Sequence, residues 1–220
     1  MSKLITMKQV LTHIKDGSSI MIGGFGSVGT PMGIVNAILE AGYKDLTIIS
    51  NDTGWVDKGL GVLIMARRVK KVIASHIGTN KEAGAQLNAG ELIVDLVPQG
   101  TLAERIRCAA YGLGGVLTPT GLGTAVEKGK EVIEKNGKKY LLEEPLTADV
   151  AIIHGDVVDK EGNITYKGAM VNFCHVMAGA AAVTIVEANK VVEIGEIDPN
   201  IVKTPGILVD YVVKTTVGGA

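Results

Sequence analysis

The segment Gly24-Phe25-Gly26-Ser27-Val28-Gly29 has the spacing G-x-G-x-x-G. It follows the short apolar run Ser19-Ile20-Met21-Ile22 and precedes a stretch with Ile34, Val35, Ile38 and Leu39 on one helical face. A strand, a glycine loop and a helix in that order suit an anionic ligand. Glycines let the backbone approach it closely, and amides at a helix start favour negative charge. Two readings stay open from the spacing. One is a dinucleotide site, which needs an acid near the end of the second strand to hold a ribose hydroxyl, and Asp52 stands in that place. The other is a tight structural turn. Asp52 itself lies in Ser50-Asn51-Asp52-Thr53-Gly54, where Asn and Asp are ordinary turn residues.

Other chemistry-bearing residues are dispersed. His76 adjoins the turn Gly78-Thr79-Asn80, whereas His13, His154 and His175 have no partner at ligand spacing; packing or surface roles are expected for all four. Arg67-Arg68 with Lys70-Lys71 reads as a solvated basic face, the sharper alternative being a hold on phosphates. Cys108 and Cys174 have no CxxC partner and no paired His, so free thiols in a reducing compartment are expected and no metal site. The net charge of −1 and the lack of a basic stripe argue against nucleic-acid binding. The start MSKLITMKQV lacks the apolar core of a signal peptide, and no apolar run reaches the ~18 residues of a membrane span. The expected location is the cytoplasm.

The elements that would position the loop alternate. Thr6 with Gln9 forms a capping box for a short helix reaching Lys15. Strands are expected at Ser19–Ile22, Leu46–Ile49, Lys71–Ser75, Leu92–Val97, Val150–His154, Val183–Val186 and Ile207–Val213. Helices are expected after Thr30 as N-cap with Pro31 in the first turn, then at Glu82–Ala89, Leu102–Tyr111 and Asn172–Ala178. Asn136-Gly137 between Val132-Ile133-Glu134 and Tyr140-Leu141-Leu142 signals a β-hairpin. The pattern implies an α/β fold: an open, mostly parallel sheet flanked by helices with a small β-hairpin layer, as one domain over residues 1–220 without internal repeat.

The run Asp16-Gly17-Ser18-Ser19-Ile20-Met21-Ile22-Gly23-Gly24-Phe25-Gly26-Ser27-Val28-Gly29-Thr30-Pro31 resembles the signature of class I CoA-transferases. Ser50-Asn51-Asp52-Thr53-Gly54, Ser75-His76-Ile77-Gly78-Thr79-Asn80, Val97-Pro98-Gln99-Gly100-Thr101-Leu102 and Thr118-Pro119-Thr120-Gly121 also resemble that family and occur in its order. The likeness runs along nearly the whole chain. It is greatest to the α (A) subunit of the acetate, butyrate and acetoacetate CoA-transferases.

This resemblance implies a fold shared with certain sugar-phosphate isomerases and exchange of CoA between an acyl-CoA and a short-chain carboxylate. It implies a β-subunit partner, usually in an α2β2 assembly, and no permanently bound cofactor, the CoA thioester being substrate. It implies a glutamate nucleophile inside a Ser-Glu-Asn-Gly-like motif of the β part. No glutamate here has that context, so no catalytic nucleophile is expected in this chain. Gly23, Gly24, Phe25, Gly26, Ser27, Val28, Gly29 and Thr30 would contact CoA or an oxyanion, and Asn51 and Gln99 would line the active site. The competing reading is a Rossmann-like domain of an NAD-dependent oxidoreductase; a sugar-phosphate isomerase is the third.

Overall fold

The computed structural model describes residues 2–217. In chain order the elements are α1 (Met7–Leu11), β1 (Ser19–Ile22), α2 (Met32–Ala41), β2 (Leu46–Asp52), α3 (Gly61–Met65), β3 (Val69–His76), α4 (Lys81–Asn88), β4 (Ile93–Leu96), α5 (Gln99–Ala110) and β5 (Val116–Thr118). There follow β6 (Val132–Lys135), β7 (Lys138–Glu143), β8 (Ala148–Asp159), β9 (Ile164–Thr165), α6 (Cys174–Met177), β10 (Ala181–Val192) and β11 (Tyr211–Lys214).

The main sheet runs β11-β10-β8-β1-β2-β3-β4 with every neighbour parallel, and β9 pairs antiparallel with β8. Alternate strand residues feed two cores, because successive side chains leave a strand on opposite faces. Ile20, Ile22, Ile48, Val72 and Ile152 pack with Ile34, Val35 and Ile38 of α2 and Leu63 and Ile64 of α3. Met21, Ile49, Ile73 and Ile153 pack with Leu102 and Ile106 of α5 and Cys174 and Met177 of α6. Strands buried on both faces read as the continuous apolar runs seen in the sequence.

The hairpin forms where expected. Asn136 and Gly137 carry φ of 54° and 71°, as a primed turn requires, and β5 adds a third strand in the order β5-β7-β6. Inside this small sheet the fully buried Glu143 carboxylate pairs with Lys130 at 2.5 Å. The Thr6–Gln9 capping box is present, although the helix stops at Leu11.

Several boundaries differ from the sequence reading. β8 and β10 are twelve residues each because they continue to pair with one another beyond the end of β1. The helix expected over 172–178 shrinks to Cys174–Met177, since Phe173 turns left-handed at φ 58°. Residues 206–208 form a 3-10 turn, so the last strand begins only at Tyr211. Finally, Pro31 and not Thr30 is the N-cap of α2, and no side chain of its own segment caps it.

Candidate functional site

Strand order reverses at β1, which has β2-β3-β4 on one side and β8-β10-β11 on the other. In open parallel sheets, ligands gather outside the strand carboxyl ends at such a reversal. The loop Gly23–Thr30 leaves β1 at that point. Its tip is a four-residue turn in which Phe25 N–H donates to Val28 O at 3.0 Å and Val28 N–H to Phe25 O at 2.9 Å. Gly26 and Ser27 at its centre have φ of 54° and 84°, which makes it a type I′ turn. Phe25 and Val28 are about half exposed, at 48% and 50%, whereas Gly23, Gly24, Gly29 and Thr30 are buried.

A second loop of the same length leaves β2. Gly54-Trp55-Val56-Asp57-Lys58-Gly59 repeats the outer glycines and the aromatic of Gly24-Phe25-Gly26-Ser27-Val28-Gly29, with Val56 in place of the middle glycine. Trp55 and Lys58 pair as Phe25 and Val28 do. A Cβ added at Gly24 would lie 2.9 Å from Val28 O, and one at Gly54 2.8 Å from Lys58 O, so both loops demand glycine at their entrance for the same reason. This internal repeat escaped the sequence reading, though its spacing was there to be found.

The two loops are stitched together. Gly26 N–H donates to Asp52 Oδ2 at 2.8 Å, and the Trp55 indole Nε1–H donates to Gly26 O at 3.1 Å. Asp52 also accepts from Gly54 N–H at 2.7 Å and from Asn51 Nδ2 at 2.8 Å. Its carboxylate is therefore consumed in holding backbone. That overturns the reading of Asp52 as a ribose-binding acid, and with it the dinucleotide alternative.

Asn51 and Gln99 come together, as a common role requires. Gln99 Nε2 donates to Asn51 Oδ1 at 2.7 Å, and Ser75 Oγ donates to Asn51 O at 2.7 Å. Asn51 is buried and Gln99 exposed, so Gln99 is the member of the pair that faces solvent. β2, β3 and the start of α5 thus line up their polar groups along one carboxyl edge.

The start of α2 behaves differently from expectation. Gly33 N–H and Ile34 N–H donate to the Glu187 carboxylate at 3.0 and 2.8 Å, and Thr215 Oγ donates to it at 2.5 Å. Glu187 is fully buried. A carboxylate from β10 already occupies the positive end of this helix, so those amides cannot serve a ligand. The donors left over lie in the loop. Gly23, Gly24, Phe25, Gly26 and Val28 amides each have an acceptor at 2.8–3.0 Å, whereas the Ser27 and Gly29 amides have none among the described residues.

Of the remaining candidates, His76 ends β3 opposite Asp52 at this same edge, whereas the basic cluster lies away from it. Arg67 pairs with Glu82 and Glu91 at the amino end of β3, the far side of the sheet from the loop. His13 stacks on Tyr211, and His175 bonds Val171 O at 3.0 Å. His154 Nε2 bonds Asn189 Oδ1 at 2.9 Å, and His76 lies exposed with its ring against Gly78. No group of His, Cys, Asp and Glu among the described residues is arranged to hold a metal. No helix among them is long and apolar enough to cross a membrane.

Cys108 and Cys174 are free and buried. Burial pushes the Cys174 thiol up to about 12. Its sulfur also sits where a Gly23 Cβ would be, 2.5 Å away, which explains the glycine there. Titration of the native protein with a thiol-specific disulfide reagent is expected to leave both cysteines unmodified, and unfolding to release both. Fast labelling of the native chain would contradict this burial.

The arrangement can do a limited chemistry: two unpartnered amides on a clamped loop, an exposed carboxamide, and no free buried carboxylate. A family model described as coenzyme A transferase matches residues 4–215. The chain is 50% identical over 212 residues to the acetate CoA-transferase subunit alpha of Escherichia coli K12, covering 96% of each. It is 51% identical over 213 residues to the acetoacetyl-CoA:acetate/butyrate CoA transferase alpha subunit of Clostridium acetobutylicum, covering 97% of this chain and 98% of that one. An acyl-CoA transferase from E. coli O157:H7, solved as a thioester complex with CoA, shares the fold at a TM-score of 0.84 and 23% identity. That alignment covers 97% of this chain but 47% of the other, so this chain spans about half its length. The glycine loop at the strand reversal, the Asn51–Gln99 pair and a match over almost the full chain agree: this protein belongs to the coenzyme A transferase family.

Proposed function

We propose that this chain is the single-domain α subunit of a cytoplasmic CoA-transferase that moves CoA between a short-chain acyl-CoA and a free carboxylate such as acetate, butyrate or acetoacetate. A β subunit, in an α2β2 assembly, supplies the glutamate nucleophile. The relatives named as alpha subunits of enzymes for those acids support this reading. The observation that carries it is the fate of the acids at the site. Asp52 and Glu187 are both buried, and each accepts hydrogen bonds from two backbone amides and a side chain. A carboxylate buried and held by three donors is fixed in the fold and is not presented to a thioester. The attacking group must then come from elsewhere, while this chain offers donors.

In the exchange, the partner's carboxylate adds to the acyl-CoA carbonyl and CoA leaves as thiolate, giving a mixed anhydride. CoA returns to the glutamyl carbonyl, expelling the first acid, and the incoming carboxylate takes the CoA by the reverse steps. Each addition places negative charge on a carbonyl oxygen. Within Gly23–Thr30, the amide of half-buried Ser27 is the unpartnered donor best placed to meet it, with that of buried Gly29 behind it. Gln99, steadied by Asn51, hydrogen-bonds a carboxylate without adding a charge that would quench the nucleophile.

Borohydride reduction of the acyl-CoA-treated complex is expected to label a glutamate of the partner, and the isolated chain is expected to exchange no CoA. Label in this chain, with exposed Asp57 at the tip of the second loop the first place to look, would overturn the division of labour.

A further inference from the structure

We propose that Trp55 is a positioning residue for this transfer: its indole N–H selects, between two turn conformations open to Gly26-Ser27, the one that turns the Ser27 amide toward the substrate side. The inference rests on the reading above. It starts from the peptide that joins Gly26 to Ser27. In a planar trans peptide the C=O and the following N–H point in opposite directions, and no peptide among the described residues is cis. The Gly26 carbonyl is held by Trp55 Nε1 at 3.1 Å, so the Ser27 N–H must point away from the second loop. It is one of the two loop amides without an acceptor.

Left to itself, the pair would choose otherwise. The observed type I′ turn places Ser27 at φ 84°, a region disfavoured for a residue with a Cβ. Gly-Ser at the centre of a tight hairpin suits type II′, which asks for positive φ only at the glycine. The two turns differ by a rotation of the Gly26–Ser27 peptide. That rotation would relieve Ser27, withdraw the carbonyl from Trp55 and reverse the Ser27 amide. Asp52 does not prevent it, because it grips the preceding peptide through Gly26 N–H. Trp55 is the contact that the rotation breaks. The indole is 47% exposed, and the chain has no other tryptophan.

The experiment uses the complex of this chain with its β partner and three variants. The first replaces Trp55 by benzothienylalanine, which exchanges the indole N–H for sulfur and keeps the shape. The second is Trp55→Phe. The third is Trp55→Phe combined with Ser27→Gly, which makes type I′ free of its penalty. The first two are expected to lose about tenfold in kcat with the acyl-CoA KM held within about twofold, since the amide acts on charge that appears only in the transition state. Crystal structures of these complexes are expected to show the Gly26–Ser27 peptide rotated. The double variant is expected to regain part of the lost kcat, which a mere packing role for Trp55 would not allow. Wild-type kcat in the benzothienylalanine protein overturns the proposal, and that isostere decides alone should Trp55→Phe fail to fold. A rise in KM at unchanged kcat also overturns it. If the wild-type complex itself moves no CoA, the functional reading falls instead.

Discussion

Asp52→Asn is expected to lower kcat of the assembled enzyme by about a hundredfold, as removal of an oxyanion donor does elsewhere. The reasoning is one of donors and acceptors. Asp52 faces Gly26 N–H, Gly54 N–H and the Asn51 amide, all of which donate. An asparagine has one oxygen for them and must turn an NH2 group toward the rest. At least one buried donor is then opposed by another, at a cost of about 1–3 kcal/mol. Both loops lose their common anchor, and the Ser27 and Gly29 amides lose their fixed position. Steady-state kinetics of the complex would check this. A kcat within about threefold of wild type would show that the loop holds its shape without the carboxylate.

Glu187→Ala is expected to destabilise the protein by roughly 4 kcal/mol, through the two uncapped α2 amides and the space left behind. For a chain of this size that is a fall of about 8–16 °C in Tm. The charge is fully buried and bonded to Gly33, Ile34 and Thr215, so nothing nearby replaces it. Glu187→Gln keeps the shape and one acceptor, and is expected to lose about half as much. Calorimetric unfolding of the complex and of the lone chain would measure both. An alanine variant melting within about 2 °C of wild type would mean that α2 starts soundly without its cap.

What could be read from the sequence followed the range of the interactions. The hairpin at Asn136-Gly137 and the capping box at Thr6–Gln9 are decided within a few residues, and both appear as expected. The β1–α2–β2 unit is set by apolar periodicity, which also acts locally. Thr30 reads as the cap because the carboxylate that receives the first α2 amides, Glu187, lies more than 150 residues away in sequence. The five residues of α3 have no assignment from sequence, being too few to show a period. Asp52 is the instructive case. Its neighbours in sequence are the same whether it holds a ribose or a peptide, and only the arrival of Gly26 beside it decides. Asn51 and Gln99 are legible only through family likeness, and their hydrogen bond between β2 and α5 is a contact that local sequence does not announce. The value of Trp55 was missed because an exposed aromatic in a loop looks incidental until its hydrogen bond is seen.

The central position of β1 has a consequence for how the polypeptide is made. One flank of β1 pairs with β2, formed soon after it, but the other waits for β8, where Ser19 meets Asp149 across 130 residues. While the ribosome is still delivering the intervening chain, Ile20, Met21 and Ile22 form the bare rim of a half-built sheet, open to wrong strands from other nascent molecules. The helix packed on the face of that strand, α2, is likewise uncapped until β10 emerges with its carboxylate. The stretch from β8 to β10 therefore closes the sheet around β1, and until it arrives the early half stays open to mispairing.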